Sequence, residues 1–381
     1  MTSRERMLTA FRNEEPDRVP VAPDISNMIP CRRTGKPFWD IYIHADPPLW
    51  RAYLDAVRHF DMDGWFIYTG ISPIREGARL AWRSEEVART DERITLRSTI
   101  TTPDGDLTSE TLYYRADPPT VTRKLIRDLR ADMPRLRHLF APITGYDASD
   151  LRLHMREVGE AGAVGGGIPV PGMHDLFGWF DGGLEAATEA YVDDYATLRE
   201  FVSWQEESAL RHAEMTIDAR PDYLLLGASG LWKLSSPRIF RDLSLPTIQR
   251  VTRMAREAGI PTVLHSCGKE RALLTIFAEE TDLSCANPLE VAPMGDCDLA
   301  EAKQAVGDRL ALMGNLHTTD LMLRGTPSEV EAASIAAIRA AGRGGGFVLS
   351  TGDQCGRDTP DENIHAMVRT AHEHGRYPLA V

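Results

Sequence analysis

Eight short apolar runs alternate with amphipathic helical segments, and this alternation constrains the fold more than any other feature. The runs are Arg18–Asp24, Gly64–Gly70, Ala163–Val170, Tyr223–Ala228, Pro261–Cys267, Leu283–Asn287, Leu310–Asn315 and Gly346–Gly352. Tyr53, Leu54, Val57 and Phe60 form one helical stripe between them. Ile248, Val251, Met254 and Ala255 form another, with Gly259 where a helix should end. Strands that alternate with helices imply a parallel sheet, and eight such units predict an α/β fold of the (β/α)8 TIM barrel type. The 381 residues suffice for one barrel with insertions, so residues 1–381 are expected to form a single domain.

Two segments depart from the alternation. Thr2-Ser3-Arg4-Glu5 reads as a capping box, and Met7, Leu8 and Phe11 form one apolar face, which predicts an N-terminal helical extension. Between about residues 80 and 115 the chain is rich in Thr and Ile, alternates with period two, and carries a Pro103-Asp104-Gly105 turn. That pattern predicts an antiparallel β-hairpin inserted after the second strand. Gly165-Gly166-Gly167 opens no helix in a G-x-G-x-x-G pattern, so a dinucleotide loop is not expected there.

Charge and cysteine content narrow the function classes. With 43 basic and 56 acidic residues the net charge is −13, which opposes binding to nucleic acid or to acidic membranes. The N-terminus is charged and lacks the apolar core of a secretory signal, and no apolar run reaches membrane-spanning length. A soluble, cytoplasmic protein is expected. The five cysteines are odd in number and widely spread, which does not suit a disulfide framework. Arg32, Arg33 and Lys36 form one small basic cluster, large enough for a single anionic group.

The segment Val263-Leu264-His265-Ser266-Cys267-Gly268 carries the strongest chemical signal. Residues two apart on a strand face the same side, so His265 and Cys267 point together at a strand end. Cys355 follows the last predicted strand, and in a barrel all strand C-termini meet at one mouth. One imidazole and two thiolates suit a three-ligand zinc site with an open position; plain burial of the same residues is the other reading that spacing leaves open. Thr359-Pro360-Asp361-Glu362 predicts a helix start whose positive end favours a thiolate at Cys355. Cys285 and Cys297 read as a core residue and a loop thiol.

Other candidates lie at predicted strand ends. Asp24, Glu290 and Asp353 are candidate acids, bases or a fourth metal ligand. His174, in a turn with Asp175, and Asn315 are candidate substrate contacts. Phe177, Trp179, Phe180 and Trp232 are aromatic residues that suit a pocket wall or core packing.

The segments Arg4–Leu8, Pro16–Val21, Val263–Gly268, Met313-Gly314-Asn315, Gly325-Thr326-Pro327 and Thr359–Ile364 together resemble the uroporphyrinogen decarboxylase superfamily. The resemblance implies a (β/α)8 barrel. Its metal-free decarboxylases carry an N-terminal Arg-Gln-Ala-Gly-Arg motif, absent from the matching stretch Ala22–Asn27. Its other branch, zinc methyltransferases that work with corrinoids, is marked by His-x-Cys plus a distant Cys, matched by His265, Cys267 and Cys355. The resemblance therefore implies methyl transfer between a corrinoid (cobalamin) and a small thiol or an O-, N- or S-methylated substrate. It implies Zn2+ as cofactor and admits a homodimer. The sequence has no Asp-x-His-x-x-Gly stretch for corrinoid ligation, so the corrinoid is expected on a separate protein or free. A metal-independent decarboxylase or lyase using Arg32, Arg33 or Lys36 on an acidic substrate is the alternative.

Overall fold

The computed structural model describes residues 1–77, 80–227 and 229–379. Seven parallel strands form one curled sheet in chain order: β1 (Gly64–Phe66), β2 (Gly162–Ile168), β3 (Tyr223–Gly227), β4 (Thr262–His265), β5 (Cys285–Asn287), β6 (Ala311–Leu316) and β7 (Phe347–Thr351). Each coincides with one of the expected runs, although the run over Tyr223–Ala228 ends on Ala228, which lies outside the described residues.

The eighth expected strand, Arg18–Asp24, is reduced to two isolated bridges, a parallel one between Val21 and Leu349 of β7 and an antiparallel one between Arg18 and Arg376. Pro20 and Pro23 flank Val21 and have no N–H to give to a ladder. This short stave still closes the barrel. Ala22 N donates to Leu349 O at 2.9 Å, and on its other side Asp63 N, next to β1, donates to Val21 O at 2.9 Å.

Side chains alternate between the barrel interior and the surrounding helices. Trp65, Ala163, Tyr223, Val263, Cys285, Ala311, Met313 and Val348 fill the interior, while Phe66, Val164, Leu224, Leu264, Ala286 and Leu312 pack outward on the helices. Gly165 makes room for the Tyr223 ring, since a Cβ there would stand 2.5 Å from Tyr223 Cζ. The N-terminal helix Ser3–Phe11 carries the expected capping box. It buries Met7, Ala10 and Phe11 with these interior residues, and Phe11 meets Tyr223 edge-on at 5.3 Å. The helix thus plugs the N-terminal end and leaves the strand C-terminal ends as the mouth.

A buried ion cluster latches this plug to the closing stave. Asp63 is fully buried; its Oδ1 accepts from Arg6 Nη1 at 2.6 Å, and its Oδ2 accepts from Arg18 Nη1 and from Val21 N, both at 2.8 Å. Arg6 also donates to Asp17 Oδ1 at 2.7 Å.

The insertion is larger than a hairpin. Arg93–Thr102 and Gly105–Tyr114 form the expected hairpin about Pro103-Asp104, and Ala81–Arg89 and Thr120–Arg123 extend it to a four-stranded antiparallel sheet. Ser72–Arg75 pairs with Ile143–Asp147 at its base. Ile100 and Leu107 of this sheet share a second core with Met173, Leu176, Phe180 and Phe201. Among the described residues no helix is long and apolar enough to cross a membrane.

Asp63→Ala leaves Arg18 and the Val21 N–H without their carboxylate acceptor and Arg6 with the Asp17 carboxylate alone. It is expected to lower stability by about 3–5 kcal/mol in urea denaturation; a loss under about 1 kcal/mol would show that the cluster does not hold the barrel closed.

Candidate active site at the barrel mouth

β4 ends at His265, and the chain then turns through Ser266 and Cys267 at Gly268. Gly268 has φ +106°, and a Cβ there would stand 3.0 Å from Lys233 Cδ, so this turn needs glycine. Val263 faces the barrel interior, which by strand alternation sends His265 to the same side, at the mouth. The next loop, after β5, holds this turn from one side. His265 Nδ1 lies 2.7 Å from Asn287 Oδ1, Ser266 N donates to Asn287 O at 2.8 Å, and Gly268 N donates to Glu290 Oε2. Glu270 grips back, its Oε2 accepting from Leu289 N at 2.9 Å.

Asp353, after β7, completes the site. One ligand atom each from Cys267, Glu290 and Asp353 lie within 4.8 Å of one another, and His265 Nε2 is 4.0 Å from Asp353 Oδ1. Imidazole, thiol and carboxylate donors therefore converge at one point of the mouth. This donor set could hold a divalent metal ion, and sulfur with nitrogen suits zinc better than magnesium or calcium.

Cys355 sits behind this group. It is fully buried, its N donates to Asp24 O at 2.7 Å, and its thiol lies against the Thr351 and Thr359 hydroxyls. Burial works against the expected thiolate. Burial pushes the Cys355 thiol up to about 12, and the Asp24 carboxylate adds to the shift. The helix that was to favour the thiolate starts at Asp361, not Pro360, and Pro360 occupies its N-cap position without a side-chain cap.

The mouth favours positive charge. Burial raises the carboxyls of Asp24, Glu270 and Glu290, and Asp353 adds to the shift at Glu290. Burial opposes protonation of His265, but the hydrogen bond to Cys267 and the charges of Asp353 and Asp24 outweigh it and raise the imidazole to about 9. Asp24 Oδ1 accepts from Ser26 N at 3.0 Å, and Ser26 in turn touches Gln354 and Tyr68. Asn315, next to last in β6, is buried beside Gly352, whose added Cβ would meet Asn315 O at 3.2 Å and Glu290 Cα at 3.5 Å.

The remaining candidates have other surroundings. Trp232 packs edge-on against Phe240 at 5.4 Å. His174 is buried at the start of the helix Met173–Trp179, in line with its low basicity: burial lowers its pKa to about 4. Phe177 is exposed, with Lys124 Nζ 3.7 Å from its ring centre. Trp179 packs tilted against Phe140 and edge-on against Phe201, and Phe180 is core. Cys285 and Cys297 are both buried. Arg32 and Arg33 do not wait for an anionic ligand: both pair with Asp361, Arg33 at 3.0 Å, and Lys36 pairs with Asp46 at 2.6 Å.

A sequence model of the uroporphyrinogen decarboxylase (URO-D) family matches residues 169–374, more than half of the chain. The chain belongs to this family. The matched region holds β3 to β7 and every donor named at the mouth except Asp24. Its relatives fall in both branches. The chain is 28% identical over 210 residues to a methylcobamide:CoM methyltransferase, MtaA, of Methanosarcina barkeri, a match covering 51% of this chain and 58% of that protein. It is 35% identical over 139 residues to a uroporphyrinogen decarboxylase of Coxiella burnetii, covering 35% of this chain and 36% of that one. The chain thus spans little more than half the length of the first and about a third of the second. The solved structure of a methyltransferase from Methanosarcina mazei shares the fold, with TM-score 0.65 and 17% identity over 98% of this chain and 99% of that one.

Two predictions follow from this geometry. Cys267 is the one cysteine of the five that is not buried. A thiol reagent should therefore label one site per native chain, and Cys267→Ala should abolish that labelling; labelling at two or more sites would contradict the packing around Cys355. Burial also raises the Asp175 carboxyl to about 7, against the hydrogen bonds from Gln205 and Trp179. The folded state then holds its proton more tightly than the unfolded chain, at about 3.9. Its stabilising effect is full below about pH 4 and is lost as pH rises through about 7. Asp175→Asn should gain on the wild type in urea denaturation between pH 5 and pH 8, and parallel curves would place the Asp175 pKa near its ordinary value.

Proposed function

We propose that this chain is a zinc-dependent methyltransferase that moves a methyl group between a corrinoid and a small thiol or O-, N- or S-methylated substrate. The observation that carries this reading is the convergence of His265, Cys267, Glu290 and Asp353 at the mouth, with Cys355 behind them. His265, Cys267 and Cys355 would hold the metal, with Glu290 or Asp353 as further donor. Zinc, when bound, supplies Lewis acidity that keeps a thiol as thiolate near neutral pH or polarises a methylated heteroatom.

The chain's own residues then do the following. Asp24 Oδ1 is engaged by Ser26 N, which leaves Oδ2 to take up or release a proton beside His265. Glu290 and Asp353 provide further proton sites in the same group. Asn315 and Trp232, with His174 and Phe177, are the substrate-side candidates. The methyl donor or acceptor enters through the mouth, and the corrinoid is supplied by a separate protein or as free cobalamin. The site is read as cytoplasmic, in a single domain over residues 1–381 that admits a homodimer.

The methyltransferase relative supports this reading. The decarboxylase alternative needs cationic side chains free to hold carboxylates, and Arg32, Arg33 and Lys36 are already engaged by Asp361 and Asp46.

The test is metal content of the purified protein beside His265→Ala, Cys267→Ala and Cys355→Ala. About one zinc per chain is expected, lost in the variants. Methyl transfer between methylcobalamin and a panel of thiols and methyl ethers should fall at least about 100-fold in each variant. Metal-free wild-type protein, with activity that survives chelation, would overturn the proposal in favour of the decarboxylase reading.

A further inference from the structure

We infer that Asn287 is a positioning residue that decides which nitrogen His265 presents to the mouth; this rests on the metal reading above. The amide orientation of Asn287 follows from its two neighbours. Met313 O can only accept, and Asn287 Nδ2 faces it at 3.5 Å. Asn287 Oδ1 therefore faces His265 Nδ1, at 2.7 Å, and an oxygen acceptor requires a hydrogen on that nitrogen. With Nδ1 occupied as a donor, Nε2 is the nitrogen left for a metal, and it is the one directed at Asp353.

Asn287 is well placed to hold this choice. It is buried, it ends β5, and its backbone oxygen accepts from Ser266 N at 2.8 Å. Strand pairing sets His265 directly opposite Asn287 in the β4–β5 register. The acceptor is therefore fixed by the sheet itself, and the imidazole cannot turn without breaking a hydrogen bond inside the barrel wall. The same loop carries Glu290, which accepts from Gly268 N, so the His265–Gly268 turn is held at both ends by residues 287–290.

The experiment compares wild type, Asn287→Asp and Asn287→Leu for zinc affinity by chelator competition and for the absorption spectrum of the cobalt-substituted protein. Asp keeps an oxygen acceptor; Leu matches the volume and removes it. A positioning role predicts that Asn287→Leu loses about 10–100-fold in zinc affinity and shifts the ligand-field bands while keeping the sulfur-to-cobalt band. Asn287→Asp should stay within a few-fold of wild type. A merely structural role predicts the reverse order, because a buried carboxylate disturbs the wall more than leucine does. Equal affinity in wild type and Asn287→Leu, or a greater loss in Asn287→Asp, overturns the inference while leaving the metal reading intact. Wild-type protein that binds neither zinc nor cobalt overturns the metal reading and the inference with it.

Discussion

The buried carboxylate of Asp63 ties the two ends of the barrel's hydrogen-bonded ring together. It joins the N-terminal helix through Arg6, the closing stave through Arg18 and Val21 N, and the start of β1 through its own backbone. Pro20 and Pro23 keep that stave from a full ladder, so side-chain ion pairs do part of the work that strand pairing does elsewhere. A buried carboxylate between two guanidinium groups is tolerable only because each of its oxygens is satisfied. Closure matters to function because only a closed ring brings Asp24, from the first stave, beside Asp353 and Cys355, from the last.

The mouth is built on the opposite principle. Burial raises the carboxyls of Asp24, Glu270 and Glu290, and the neighbours of His265 push its imidazole toward the charged form. Such a group of acids is costly unless positive charge is added. A divalent cation in that group would release protons from thiol and imidazole and turn a costly cluster into a set of ligands. The hydrogen bonds between residues 265–268 and 287–290 hold those donors in place and limit how far they can relax apart.

Much of this was legible along the chain. Seven of the eight expected strands form, because apolar runs of the right length between helical stripes specify a buried parallel sheet. The capping box at Thr2 and the turn at Pro103-Asp104 also form as expected, since both are local hydrogen-bond and backbone effects. His265 and Cys267 were singled out from the two-residue period of a strand, but β4 ends at His265 and Cys267 lies in the turn that follows it. The Asn287 contact had no local signal: it is set by the register between β4 and β5. Glu270 and Tyr68 were missed for the same reason. Arg32 and Arg33 looked free because their partner, Asp361, lies near the other end of the chain.

The amino-acid sequence by itself determined the barrel, its helical plug, the position of its insertion and the residue types at the mouth. Periodicity and capping act over a few residues, so they can be read without knowing what lies opposite. Only the tertiary structure decided which charges are already engaged, which thiols are buried, and which residues surround His265. Those outcomes depend on desolvation and on contacts between residues far apart in sequence, and neither has a local pattern.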